Sequence, residues 1–190
     1  DAYAVLPGYP PVREGACVAS YYYLIASLPM LRTNAEPPLD YAAFLALCKT
    51  AVSDKVYHRL EELTVDAHGD GLLGQWAAFY RVLRGELRYQ RSLKLGRSCA
   101  APYDRDAGVT AAVTAAVNAA DPLKGEQILL ALEFDRLDAM VGLHNFDDCA
   151  LYGYAMKLRL LERQRVFRHD EGKRAFDGLL EQLRQQVLSI

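Results

Sequence analysis

Apolar positions along this chain recur mostly at helical spacing. In the stretch opening at Leu72, Trp76, Tyr80, Leu83 and Leu87 stand at i, i+4, i+7 and i+11, which predicts a long amphipathic helix from 72 to about 95. Upstream, Asp40 is a good N-cap for a helix from 41 to about 52. Ser53 is placed to cap a second, with Val56, Leu60 and Leu63 on one side and Gly69 and Gly71 closing it. Gly96 is a C-terminal stop for the long helix, and residues 98–106, with Pro102, read as a loop.

Val109, Val113, Val117 and Ala120 then form a slim apolar face over 109–120, with Thr110, Thr114 and Asn118 opposite. Asp121-Pro122 pairs an N-cap with a proline in the first turn and opens a helix to about residue 143. The turn at 145–148 starts another to about 168, and Asp170 caps a last helix carrying Phe176, Leu179, Leu180, Leu183 and Val187. The chain reads as an all-α, multi-helix bundle of antiparallel helix pairs, with at most one or two short strands near the N-terminus.

Two N-terminal segments fall outside that rhythm. Residues 1–20 hold Pro7, Gly8, Pro10, Pro11 and Gly15 and are expected to form an extended or disordered arm ahead of a single domain over 21–190. Tyr21-Tyr22-Tyr23-Leu24-Ile25-Ala26-Ser27-Leu28-Pro29 is short and uniformly apolar. Its tyrosines favour a strand, but periodicity does not separate that from a buried helical turn. A two-fold repeat over about 40–97 and 122–170 is a further expectation, carried by the likeness of 76–82 to 152–158.

Composition removes several function classes. The 190 residues are 52 % hydrophobic and 24 % charged, enough for a sizeable core and ordinary for a globular chain. A formal net charge of −2, without a groove-reading motif, argues against nucleic acid. Four cysteines at wide intervals (Cys17, Cys48, Cys99, Cys149) make neither a zinc motif nor a disulfide framework. No apolar run is long enough to cross a bilayer, and the first residues lack the layout of a signal peptide. A cytoplasmic protein is expected, peripheral to a membrane at most and then through protein partners.

The chemistry-bearing patterns point to contact rather than catalysis. Arg81, Arg84, Arg88, Arg91 and Lys94 follow one another at spacings of 3, 4, 3 and 3 on the long helix and are the expected partner-binding residues, suited to an acidic surface. A second cluster, Lys157, Arg159, Arg163, Arg165 and Arg168, is expected to pair within the molecule and to offset the dipole at a helix C-terminus. No Glu is followed by His three residues on, and the histidines (His58, His68, His144, His169) stand apart, so neither a metal nor a cofactor is expected. Nucleophile-elbow, phosphate-loop and dinucleotide motifs are absent, and no catalytic residue is assigned.

Two segments carry a family resemblance. The first is the run from Tyr21 to Pro29. The second runs from Leu132-Glu133 through Phe146-Asp147, then Tyr152, Tyr154, Lys157-Leu158, Glu162-Arg163 and Glu171-Gly172. Together they resemble a small bacterial family of uncharacterised proteins encoded beside V-type ATPase subunits. The resemblance implies a role like that of the C-type component of V-type ATPases (d-type in eukaryotes), an all-helical, non-catalytic socket between membrane rotor and central stalk. Its implied partners are the central-stalk and rotor subunits. Two other readings stay open: a stand-alone helical adaptor, and an enzyme with a pocket near His144, Asp147, Tyr152 and Tyr154.

Overall fold

A computed structural model describes residues 16–165 and Gly178, with side chains described from residue 21 onward. Among the described residues the chain forms seven helices and no strand: α1 (Ala16–Ser27), α2 (Tyr41–Cys48), α3 (Asp54–Glu61), α4 (Leu72–Lys94), α5 (Ala107–Val117), α6 (Pro122–Val141) and α7 (Asp148–Arg165). The all-α expectation holds. No helix among the described residues is long and apolar enough to cross a membrane.

The N-terminal expectations need correcting. Residues 16–20, assigned to the arm, are the first turns of α1, and the tyrosine-rich run continues that helix rather than forming a strand. Tyr21 and Leu24 point into the core, with Ile25 and Leu28 packed beside them, while Tyr22 and Tyr23 are exposed. A strand would alternate faces and put Tyr21 and Tyr23 on the same side. The rest of the arm and the helix expected after Asp170 lie outside the described residues.

Local chemistry explains the other boundaries. The Asp40 carboxylate accepts from Ala43 N at 2.7 Å, Asp106 from Val109 N at 3.0 Å, and Asp121 from Leu123 N at 3.0 Å, each satisfying an amide that the first helical turn leaves free. The Asp106 cap starts α5 at Ala107, two residues ahead of the position expected from its valines. Ser53 occupies the N-cap of α3 but makes no side-chain capping bond. After α4 the chain turns at Gly96, whose φ of +67° is in the region that favours glycine.

α7 is the spine. Leu151, Tyr152, Ala155, Met156, Leu158, Leu160 and Leu161 are all buried, on more than one face of the helix. α2, α3, α4 and α6 all pack on it, and α5 lies against α4 and α6. Large side chains such as Trp76, Phe44, Leu60, Leu83 and Leu137 are fully buried between these layers, each contributing about 1.5–3 kcal/mol. Where α5 meets α6, a Cβ on Gly125 would stand 2.7 Å from the Ala116 carbonyl oxygen, so only glycine permits that approach.

The run from Tyr21 to Pro29 meets the α6–α7 turn and α7 in space. The Tyr154 hydroxyl donates to the Pro29 carbonyl at 3.0 Å, and the Tyr22 and Phe146 rings lie 4.7 Å apart. Burial pushes the Tyr154 phenol up to about 12, so it remains a hydroxyl donor at any physiological pH.

Candidate interaction surface

α4 carries the cations, and two loops frame them. On one side the 62–71 loop is pinned by Trp76, whose indole Nε1 donates to the Val65 carbonyl at 2.8 Å. That loop runs so close to α4 that a Cβ on Gly74 would stand 2.6 Å from the Gly69 carbonyl oxygen. On the other side the 98–106 segment reaches α4 at Gly85, where an added Cβ would touch Pro102 at 3.8 Å. Arg105 anchors this segment by donating from Nε and Nη2 to the buried Glu86 carboxylate, at 2.9 and 2.7 Å.

Between the 65–69 loop and α4 lies an open groove of about 590 Å³. Gly74, Ala77, Ala78 and Gly85 give it a floor with little side chain, and Arg81, Arg84 and Arg88 stand along it. All three arginines are exposed. Arg84 bonds Asp66 across the groove at 2.6 Å and lies 5.7 Å from the Tyr80 ring centroid; Arg81 approaches Asp104 at 3.7 Å. Arg88 has no carboxylate partner among the described residues. Ion pairs this exposed are worth about 0–1 kcal/mol, so neither Asp66 nor Asp104 holds its arginine firmly.

The five expected contact residues do not share one surface. Arg91 and Lys94 line a second hollow of about 270 Å³ with the ends of α5 and α6, and Lys94 Nζ donates to the Val117 carbonyl. Spacings of 3, 4, 3 and 3 average less than the 3.6-residue turn, so the row of cations winds around the helix as it advances. Arg81, Arg84 and Arg88 form one group; Arg91 and Lys94 form another.

Three members of the second basic cluster, Lys157, Arg159 and Arg163, pair within the molecule as expected, while Arg165 is exposed with no ion pair among the described residues. Arg163 Nη2 donates to buried Glu133 at 2.7 Å and its Nη1 to the Tyr80 hydroxyl at 3.4 Å; Lys157 pairs with Asp138. Arg159 Nε donates to the Leu63 carbonyl at 2.9 Å, with its guanidinium carbon 3.4 Å from the Tyr41 ring centroid. Beside it, Glu162 accepts the Tyr41 backbone N–H at 2.8 Å, joining the start of α2 to α7. Arg168 lies outside the described residues.

Of the four residues offered as an enzyme pocket, His144 and Asp147 come together, Nδ1 to Oδ2. Tyr152 is buried and Tyr154 is committed to Pro29. An open hollow does lie at Asp147, lined by Tyr21, Phe146, Asp148 and Cys149. Spacing alone does not reveal Cys149 as a neighbour of His144, because familiar metal-site patterns span two helices or hold a Cys-x-x-Cys pair. The described residues form an all-helical fold that carries a cation-lined groove on its surface. No protein-family model, curated protein or solved structure matches the chain.

Proposed function

We propose that this chain is a non-catalytic accessory or stalk-like subunit of a bacterial V-type ATPase, linking or regulating the rotor and central stalk through protein contacts. The family resemblance over residues 21–29 and 132–172 supplies the machine. The observation that carries the contact role is the groove with Arg81, Arg84 and Arg88 along it, two of them in exposed ion pairs. An acidic element of a partner exchanges those weak pairs for its own and meets Arg88 in addition. Long-range attraction of this kind speeds encounter and fixes register more than it adds affinity.

The test is affinity purification of the tagged protein from its native cell, followed by mass spectrometry, with the wild type and Arg84→Glu/Arg88→Glu in parallel. The wild type is expected to bring down ATPase stalk and rotor subunits. The double variant is expected to lose them while its melting temperature stays at the wild-type value, both side chains being exposed. Recovery of the protein alone at low and physiological salt overturns the reading. Full recovery with the double variant removes the groove from it.

A further inference from the structure

At the junction of α6 and α7, His144, Asp147 and Cys149 bring a nitrogen, an oxygen and a sulfur ligand atom within 4.8 Å of one another. We propose that these three residues form a binding site for a single zinc ion. The site is independent of the ATPase reading.

Three atoms no farther apart than 4.8 Å all lie within about 2.8 Å of a common point, so small rotamer adjustments reach zinc–ligand distances of about 2.0–2.3 Å. The backbone already holds the ligands in place. Asp147 caps α7, its Oδ1 accepting from Ala150 N at 3.1 Å, which leaves Oδ2 turned toward His144 Nδ1. Cys149 lies in the first turn of the same helix. Imidazole, carboxylate and thiolate together suit a borderline ion such as zinc better than magnesium or calcium, which take oxygen ligands. Three protein ligands leave a fourth position for water, and the hollow bordered by Tyr21 and Phe146 lies at Asp147 and Cys149 to admit it. The helix N-terminus disfavours a cation, but Asp147, Asp148 and the thiolate outweigh its partial positive charge.

The experiment uses the full chain, stripped of metal and reduced, titrated with zinc chloride by calorimetry and with cobalt(II) by absorbance. The expected result is one ion per chain and a thiolate-to-cobalt charge-transfer band in the near ultraviolet. Cys149→Ser is expected to abolish the band and Cys99→Ser to leave it. His144→Ala is expected to weaken zinc binding at least about tenfold, the loss that even outer partners of a metal site produce. Absence of the band in the wild type, its survival in Cys149→Ser, or unchanged affinity in His144→Ala overturns the site. Melting curves of the metal-free variants establish that each is folded. Should Cys149→Ser fail to fold, His144→Ala, an exposed-side-chain change, decides the matter.

Discussion

Two glutamates, Glu86 on α4 and Glu133 on α6, are equally hidden at 1 % exposure, and each is paired with an arginine. Their protonation nevertheless shifts in opposite directions. Glu86 receives three donors: Arg105 Nε and Nη2, and Gln90 Nε2 at 2.8 Å. Arg105, chiefly through its hydrogen bonds, holds the Glu86 carboxyl below the usual carboxylate range against the cost of burial. Glu133 sits among α4, α6 and α7 and receives one guanidinium nitrogen, Arg163 Nη2, the other being turned to Tyr80. Burial pushes Glu133 above the usual range, and the attraction of Arg163 does not recover it. Accessible surface therefore does not decide the direction of the shift. The number of donors, and the depth of protein around the pair, do.

The two pairs also hold different things. Glu86–Arg105 fastens a loop to the far edge of the groove, and the Arg105 side chain is 38 % exposed. Glu133–Arg163 joins two core helices. Breaking each pair from the arginine side should show it. Arg163→Met leaves a carboxylate buried without its counter-charge, and a loss of about 3–5 kcal/mol is expected in denaturant unfolding at neutral pH. That deficit shrinks on acidification, because a protonated Glu133 no longer needs a partner. Arg105→Met is expected to cost distinctly less, since Gln90 still donates to Glu86 and water reaches the loop. Equal losses would break the comparison.

A finer test replaces the carboxylates themselves. The folded-state pKa of Glu86 lies below its unfolded value, so its stabilisation is present above the unfolded pKa and is lost as pH falls through the folded one. Glu133 has a raised folded-state pKa, so its contribution is present below the unfolded pKa and is lost as pH rises through the folded one. In unfolding free energy measured across the acid range, Glu86→Gln should remove a rise with pH, and Glu133→Gln should remove a fall. Changes of slope with the same sign would mean that the two pairs titrate alike.

Much of the scaffold is legible from one chain. The Asp40, Asp121 and Gly96 punctuation and the Trp76 face rest on short-range rules of capping and period. The α1 run is not, because Tyr21, Tyr22, Tyr23 and Leu24 are all apolar and carry no alternation; only packing tells which two turn inward. Nor does the sequence show that Glu86 meets Arg105, or that Glu133 meets Arg163, partners 19 and 30 residues away. The groove is legible in half. Its cations can be read off α4, while its other wall depends on the 65–69 loop folding back over Gly74, a contact with no periodic signature.

The smallest effect separates two explanations for Glu133. Arg163 is divided between the carboxylate and the Tyr80 hydroxyl, and that second bond, at 3.4 Å, is long. Tyr80→Phe keeps the ring stacked on Trp76, with centroids 5.5 Å apart, and removes only the oxygen. A loss of about 0.5–1 kcal/mol is expected. The pH dependence due to Glu133 should stay unchanged, because burial sets its shift and the phenylalanine ring buries it equally well. A freed guanidinium nitrogen that turned to Glu133 would instead give the carboxylate a second donor and lower its pKa toward that of Glu86. Acid-range unfolding of Tyr80→Phe would then lose the fall with rising pH, and donor count alone would account for the contrast between the two glutamates.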